Sequence, residues 1–277
     1  MAKCFFLPLV YIILTLSAFA QKEIPYGSNS KAGHYVHVND IQLYYEVYGK
    51  GEALLLMHGN SGSIASFSKF IPFLSKQFKV IAVDSRAQGR SSDSNKELTF
   101  ELMASDMKEL LDQLHLDGVY AVGWSDGGIV GLQLAYAYPH KISKLVAIGA
   151  NFVADSTALS PDNFDTTKIR WYHNLDSSEQ KNIISQSHFP ECAPLIFDKL
   201  INLDLKYPNF TIEQLASIKT PTLVVAGDHD IIIDTHTLKL FHALPHSQLF
   251  IVPGSPHHVP IAKPKLLSDV VVDFLIR

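Results

Sequence analysis

Six short apolar runs, at residues 53–57, 80–83, 119–122, 145–148, 223–226 and 249–252, constrain this chain more than any other feature. Each is too short for a buried helix and lacks the alternation of a half-exposed strand. They are expected as strands covered on both faces, which is the mark of a parallel sheet. Helix-length segments separate them, at about 64–76, 100–114, 127–138, 234–244 and 264–276. In the second of these, Met103, Met107, Leu110, Leu111 and Leu114 share one face, with Asp106, Lys108 and Asp112 off it. Ahead of the runs, residues 35–38 and 41–48 are β-rich and are separated by Asn39-Asp40, which reads as a hairpin. The expected fold is α/β, an eight-stranded and mostly parallel sheet with an antiparallel start, flanked by helices.

Residues 152–219 break this rhythm between two stretches of core, 21–151 and 220–277. The interruption has no obvious central strand. It carries amphipathic pieces around 168–174, 178–187 and 194–203, punctuated by Pro161, Pro190, Pro194 and Pro208. A structureless loop of that length would be anomalous, so a helical cap insertion over one end of the sheet is expected.

The first twenty residues read as an address. Lys3 precedes an apolar run at 5–16, and Ala18-Phe19-Ala20 forms a small-x-small cleavage site before polar residues. The run is shorter than the roughly 20 residues of a membrane-spanning helix, so export to a periplasmic or secreted location, with no stable membrane span after cleavage, is expected. Cleavage would remove Cys4 and leave Cys192 as a lone thiol, expected to be a buried small hydrophobe. With 23 Lys plus Arg against 27 Asp plus Glu, the formal charge of −4 argues against a basic nucleic-acid face.

The third apolar run leads straight into Gly123-Trp124-Ser125-Asp126-Gly127-Gly128, followed at once by a helical segment. This is G-x-S-x-G in its strand-turn-helix setting. A nucleophile on so sharp a turn leaves no room for side chains two residues either side, hence the glycines. The alternative is that Ser125 is only a helix N-cap. A serine hydroxyl needs a base, and the base needs an acid, in the chain order Ser, Asp, His. Both stand at ends of later strands, in Gly227-Asp228-His229-Asp230 and in Pro253-Gly254-Ser255-Pro256-His257-His258. Asp230 is favoured over Asp228 because it lies further out on its loop. His257 is favoured over His258 because it comes first after the small-residue turn. Oxyanion donors are expected from the backbone N–H groups of Asn60, in the loop His58-Gly59-Asn60, and of Asp126. His58 is expected to brace that loop.

Residues 41–276 resemble the α/β-hydrolase superfamily along their whole length. Asp84-Ser85-Arg86-Ala87-Gln88-Gly89-Arg90-Ser91 resembles its D-x-R-G-x-G-x-S loop, with Ala87 where glycine is usual. Gly123-Trp124-Ser125-Asp126-Gly127-Gly128-Ile129 and Gly149-Ala150-Asn151 resemble, more narrowly, the valacyclovir-hydrolase or biphenyl-hydrolase-like group. The His58-Gly59-Asn60 loop departs from that group. The resemblance implies a triad of Ser125, Asp230 and His257, a small-molecule ester substrate and no cofactor. It also implies a role for Asp126 in drawing a substrate ammonium toward the reacting carbonyl.

On the residues alone, the helix dipole is expected to keep Asp126 ionised. Its carboxylate either faces the pocket or turns away to cap the helix or pair with Arg86 or Arg90. Trp124 either lines the acyl pocket or packs. Trp171, Tyr172, Phe189 and Phe197 either wall the pocket or belong to a core. Ser125 argues against relatives with an aspartate nucleophile. Carbon–carbon bond hydrolysis or perhydrolysis would use the same triad, and a small-molecule receptor would keep the pocket without turnover. A metal site is not expected, since neither His257-His258 nor His34 with His37 makes a convergent set.

Overall fold

Leu54, Leu55 and Leu56 are all fully buried at consecutive positions, which only a strand covered on both faces permits. They belong to β3 (Ala53–Met57) in a computed structural model that describes residues 24–159, 175–186 and 190–277. Truncating any one of them to alanine would cost about 2–5 kcal/mol. The sheet contains β1 (Gly33–Val38), β2 (Ile41–Tyr48), β3, β4 (Lys79–Val83), β5 (Val119–Trp124), β6 (Ile142–Ile148), β7 (Thr222–His229) and β8 (Ser247–Pro256). Its order is β1-β2-β4-β3-β5-β6-β7-β8. The β1–β2 and β2–β4 pairs are antiparallel and every other pair is parallel. This is the eight-stranded, mostly parallel α/β sheet with an antiparallel start that the apolar runs and the hairpin imply.

Helices cover both faces. On one side lie α2 (Phe100–Gln113), α3 (Asp126–Ala137) and α7 (Asp234–Ala243), whose buried residues join Leu55, Met57 and Ala121 in one core. On the other, α9 (Pro264–Ile276) and the short α1 (Ile71–Leu74) pack over Leu54, Leu56 and Val122. The helix expected over 64–76 is in fact a 3₁₀ turn, Ile64–Phe67, followed by α1. Pro72 explains the break: it lacks an N–H and fits only the first turn of a helix, so a continuous helix cannot run through it.

Between β6 and β7 the described residues form α4 (Ser177–Gln186), α5 (Ala193–Lys206) and α6 (Ile212–Ser217). The α6 helix starts with a reciprocal cap between Thr211 and Gln214. That T-x-x-Q signature stands in the sequence ahead of an apolar pair and was the available cue for a helix not expected there. The segment is tied to the core at its base, where Phe210 N–H donates to the Phe152 carbonyl at 2.8 Å. Leu159 bridges to Ile232 in the loop after β7.

Cys192 is exposed rather than buried. It is the N-cap of α5, one residue before the inward stripe of Ala193, Ile196 and Leu200 begins, and so stands at the open end of the helix. The expected leader at 1–20, the amphipathic piece at 168–174, and Trp171, Tyr172 and Phe189 lie outside the described residues. No helix among the described residues is long and apolar enough to cross a membrane.

Carboxyl ends of the parallel strands converge on one edge, and the loops after β3, β5, β7 and β8 all emerge there. A second framework braces these loops from below. Arg86, fully buried in the loop after β4, donates to both Asp106 oxygens at 2.5 and 2.7 Å and to Asp40 at 3.1 Å. This ties that loop to α2 and to the β1–β2 turn.

Candidate active site

The passage from β5 into α3 is made at a single residue. Ser125 has φ 55° and ψ −120°, a left-handed conformation that costs a non-glycine residue about 1–2 kcal/mol. Close packing makes the flanking glycines obligatory: a Cβ on Gly123 would lie 2.0 Å from the Gly127 carbonyl oxygen, and one on Gly127 would lie 2.1 Å from that of Met57. The side chain of Ser125 is thus held up at the strand ends, half-exposed, above the N-terminus of α3.

Ser125 Oγ lies 3.0 Å from His257 Nε2, and His257 Nδ1 lies 2.6 Å from Asp230 Oδ1. With its proton on Nδ1, the imidazole donates to Asp230 and accepts from the serine hydroxyl. The Asp230 carboxylate, wholly shielded from solvent, also accepts from the backbone N–H of Ile232 at 3.0 Å and of Gly227 at 3.3 Å. Asp228 instead accepts from Gly254 and Ser255 N–H at 2.9 and 3.0 Å, holding the end of β8 to the end of β7. His258 is exposed and stands at the N-cap of the short α8 (Val259–Ala262).

Asn60 and Asp126 line the same cavity as Ser125. Gly59 packs against the serine so closely that a Cβ there would lie 3.0 Å from Ser125 Cβ. The N–H of Asp126, in the first turn of α3, has no carbonyl one turn before it within the helix. His58 is buried, accepts from Ser85 N–H at 3.0 Å and donates to the Gly59 carbonyl at 2.7 Å. It therefore locks the loop after β3 to the loop after β4, and burial pulls its pKa down to about 4, which keeps it neutral. Trp124 lines the cavity and also donates from its indole Nε1 to the His257 carbonyl at 3.0 Å.

The cavity above Ser125 has a volume of about 310 Å³. Phe100, Ile129, Leu159, Tyr207, Ile231 and Ile232 supply apolar wall, and Asn60, Asp126, Asn151 and Asp204 supply polar wall. Asp126 neither caps the helix nor pairs with Arg86 or Arg90: it is 4% exposed, and its Oδ2 has no hydrogen-bond partner among the described residues. The helix dipole, expected to keep it ionised, is opposed here. Burial, reinforced by the nearby charge of Asp204, pushes its pKa well above the ordinary carboxylate range.

Asp204 is the residue that sequence reasoning missed. It accepts the Asn60 side-chain amide at 2.9 Å, and burial pushes its pKa up to about 6. A signal was present, because Asp204 continues at helical spacing the stripe of Ala193, Ile196 and Leu200. A carboxylate on an apolar stripe marks a polar pocket or a partner.

Comparison with known proteins follows this geometry. A model of the alpha/beta hydrolase fold matches residues 52–192. The mouse serine hydrolase BPHL is 29% identical over 253 residues, spanning 87% of this chain and 85% of that protein. The pimeloyl-[acyl-carrier protein] methyl ester esterase of Yersinia enterocolitica is 27% identical over 261 residues, spanning 84% of this chain and 97% of that protein. Among solved structures, the enol-lactonase from Burkholderia xenovorans superimposes with a TM-score of 0.72 at 20% identity, covering 88% of this chain and 100% of that one. At that identity the likeness is one of fold.

Proposed function

The chain belongs to the alpha/beta hydrolase fold family and is a hydrolase, and from that premise we propose that it cleaves small carboxylic esters through Ser125, His257 and Asp230. The observation that carries this reading is the unbroken hydrogen-bond chain from Asp230 through His257 to Ser125 beneath a mostly apolar cavity. His257 takes the Ser125 proton as Oγ attacks the acyl carbon, then returns it to the leaving alcohol. Asp230 stabilises the imidazolium formed in between. The N–H groups of Asn60 and Asp126 hold the oxyanion, each worth roughly 3 kcal/mol in the transition state. Water, activated by the same imidazole, then hydrolyses the acyl-enzyme.

A polar end of the cavity beside the nucleophile favours an acyl group with a charged amine over a plain hydrocarbon. The unpaired Asp126 Oδ2 is an acceptor in want of a donor, and the α-ammonium of an amino-acid ester would supply one close to the scissile carbonyl. We also propose, from the composition of residues 1–20, that the chain is exported and acts after processing.

The test compares matched aryl esters of valine and of isovalerate on the processed protein, with a fluorophosphonate to label the nucleophile. Labelling of Ser125 with turnover of both esters supports a serine esterase, and faster cleavage of the valine ester supports the amino preference. Turnover that survives in Ser125→Ala, or no turnover of either ester, overturns the reading and moves the weight to carbon–carbon hydrolysis, perhydrolysis or a receptor.

A further inference from the structure

Two acids border the reacting serine, and they come from different parts of the chain. Asp126 begins α3, whereas Asp204 lies near the end of α5 in the segment between β6 and β7. Both line the same cavity, and its described lining residues include no Lys or Arg. The Asn60 amide bonds to Asp204 Oδ1 at 2.9 Å and to the Leu200 carbonyl at 3.3 Å, and its proximity also favours the ionised form of Asp126. The amide has two N–H donors, and those two acceptors take them both. Asp126 Oδ2 is left buried and without a donor, a costly state for a polar group unless a ligand completes it.

We infer that Asp204 and Asp126 together form the receptor for a primary ammonium on the acyl group, Asp204 being a specificity-determining residue supplied by α5. The inference rests on the ester-hydrolase reading above. A primary ammonium has three N–H donors and a full positive charge, so it can bond to Asp126 Oδ2 and to the Asp204 carboxylate at once. Each carboxylate raises the cost of ionising the other, and a cation between them removes that repulsion. The arrangement also sets a limit on the substrate. An N,N-dimethylated ammonium keeps the charge but has one N–H, so it can serve one carboxylate and must leave the other without a donor.

Aryl esters of valine, N,N-dimethylvaline and isovalerate distinguish these possibilities through ratios of kcat/KM, which cancel differences in the amount of active enzyme. The wild type is expected to prefer valine to dimethylvaline by about tenfold or more, the value of a hydrogen bond to a charged group. In Asp204→Asn that preference should shrink toward one, and the preference for valine over isovalerate should fall by about tenfold. Loss of the valine preference in Asp126→Asn but not in Asp204→Asn overturns the inference and leaves the esterase reading intact. A valine-to-dimethylvaline preference that persists unchanged in Asp204→Asn marks a steric origin and overturns it too. Should Asp204→Asn fail to fold, the wild type decides alone, since equal cleavage of valine and dimethylvaline esters refutes a two-carboxylate receptor.

Discussion

Trp124 donates its indole Nε1 to the backbone carbonyl of His257 at 3.0 Å, so the residue before the nucleophile holds the residue proposed as its base. The two rings lie 6.0 Å apart, and Phe67 packs edge-on to the indole from behind. Trp124 therefore joins the end of β5 to the loop after β8, two elements separated by β6 and β7 in the sheet. Its contribution to the site lies in this brace as much as in the surface it offers the cavity.

Trp124→Phe keeps the apolar packing and removes the donor. A neutral hydrogen bond of this kind contributes about 1 kcal/mol, so the loss of stability should be small. The larger effect is expected on activity, about tenfold in kcat/KM with isovalerate ester, because a shifted imidazole loses alignment with Ser125. Fluorophosphonate labelling should slow in parallel. Unchanged labelling and turnover would show that His257 is held from elsewhere.

Gly149 offers a sharper test of the same imidazole. Its φ is +58°, and a Cβ there would lie 2.8 Å from His257 Cε1 and 2.9 Å from Nδ1. Gly149→Ala is expected to displace the ring and lower kcat/KM by about a hundredfold. Gly118→Ala serves as the control, since Gly118 has φ +62° but open space around the added methyl. It should show the strain of the left-handed backbone, about 1 kcal/mol, with activity retained. Equal losses of activity in the two variants would mean that backbone strain, not contact with His257, is responsible.

Ala87 stands where the resembling loop carries glycine, and it holds φ 64°. The alanine thus occupies a backbone conformation that favours glycine, in a loop fixed by Arg86 beside it. Ala87→Gly should relieve that strain, partly offset by the greater freedom of glycine in the unfolded chain, for a net gain of about 0.5–1 kcal/mol. Thermal unfolding is the readout, and a lower Tm would refute the idea that the departure from the motif is strained.

Much of this molecule was legible because the relevant signals are local. The strands declare themselves as apolar runs since both of their faces are covered, and the Ser125 turn declares itself by the glycines its packing demands. Asp230 and His257 could be ranked above Asp228 and His258 because loop position decides which carboxylate can reach an imidazole and which imidazole can reach Ser125. Asp204 was hidden for the opposite reason. Its contact with Asn60 spans 144 positions, and the α5 stripe that marks a buried acid does not record which residue lies across the cavity. The opposition to the charge of Asp126 was hidden too, because the helix dipole is a local property whereas burial and the second carboxylate are tertiary ones. Cys192 was misplaced because composition speaks of cysteines in general, whereas this one stands at the open end of a helix.

His58 links the fold to pH. Its neutral ring accepts from Ser85 and donates to Gly59, and burial lowers its pKa to about 4, against about 6.5 in an unfolded chain. The unfolded chain therefore binds a proton that the folded one refuses as pH falls between these values. The stability contributed by the neutral form is fully present above about pH 6.5 and is lost toward pH 4, on the order of 3 kcal/mol in total. His236, which accepts from Phe152 N–H at 3.1 Å and is also lowered to about 4, acts in the same direction. Asp84 and Asp204, both pushed up to about 6 by burial, act in the opposite direction because their folded forms take up protons first. The test is accordingly a difference: urea unfolding of wild type and His58→Gln at pH 7.5 and pH 4.5. The wild-type advantage should narrow by about 2–3 kcal/mol at the lower pH. A gap that stays constant between the two pH values would mean that His58 is protonated in the folded protein, and that the lock between the loops after β3 and β4 is not the one described.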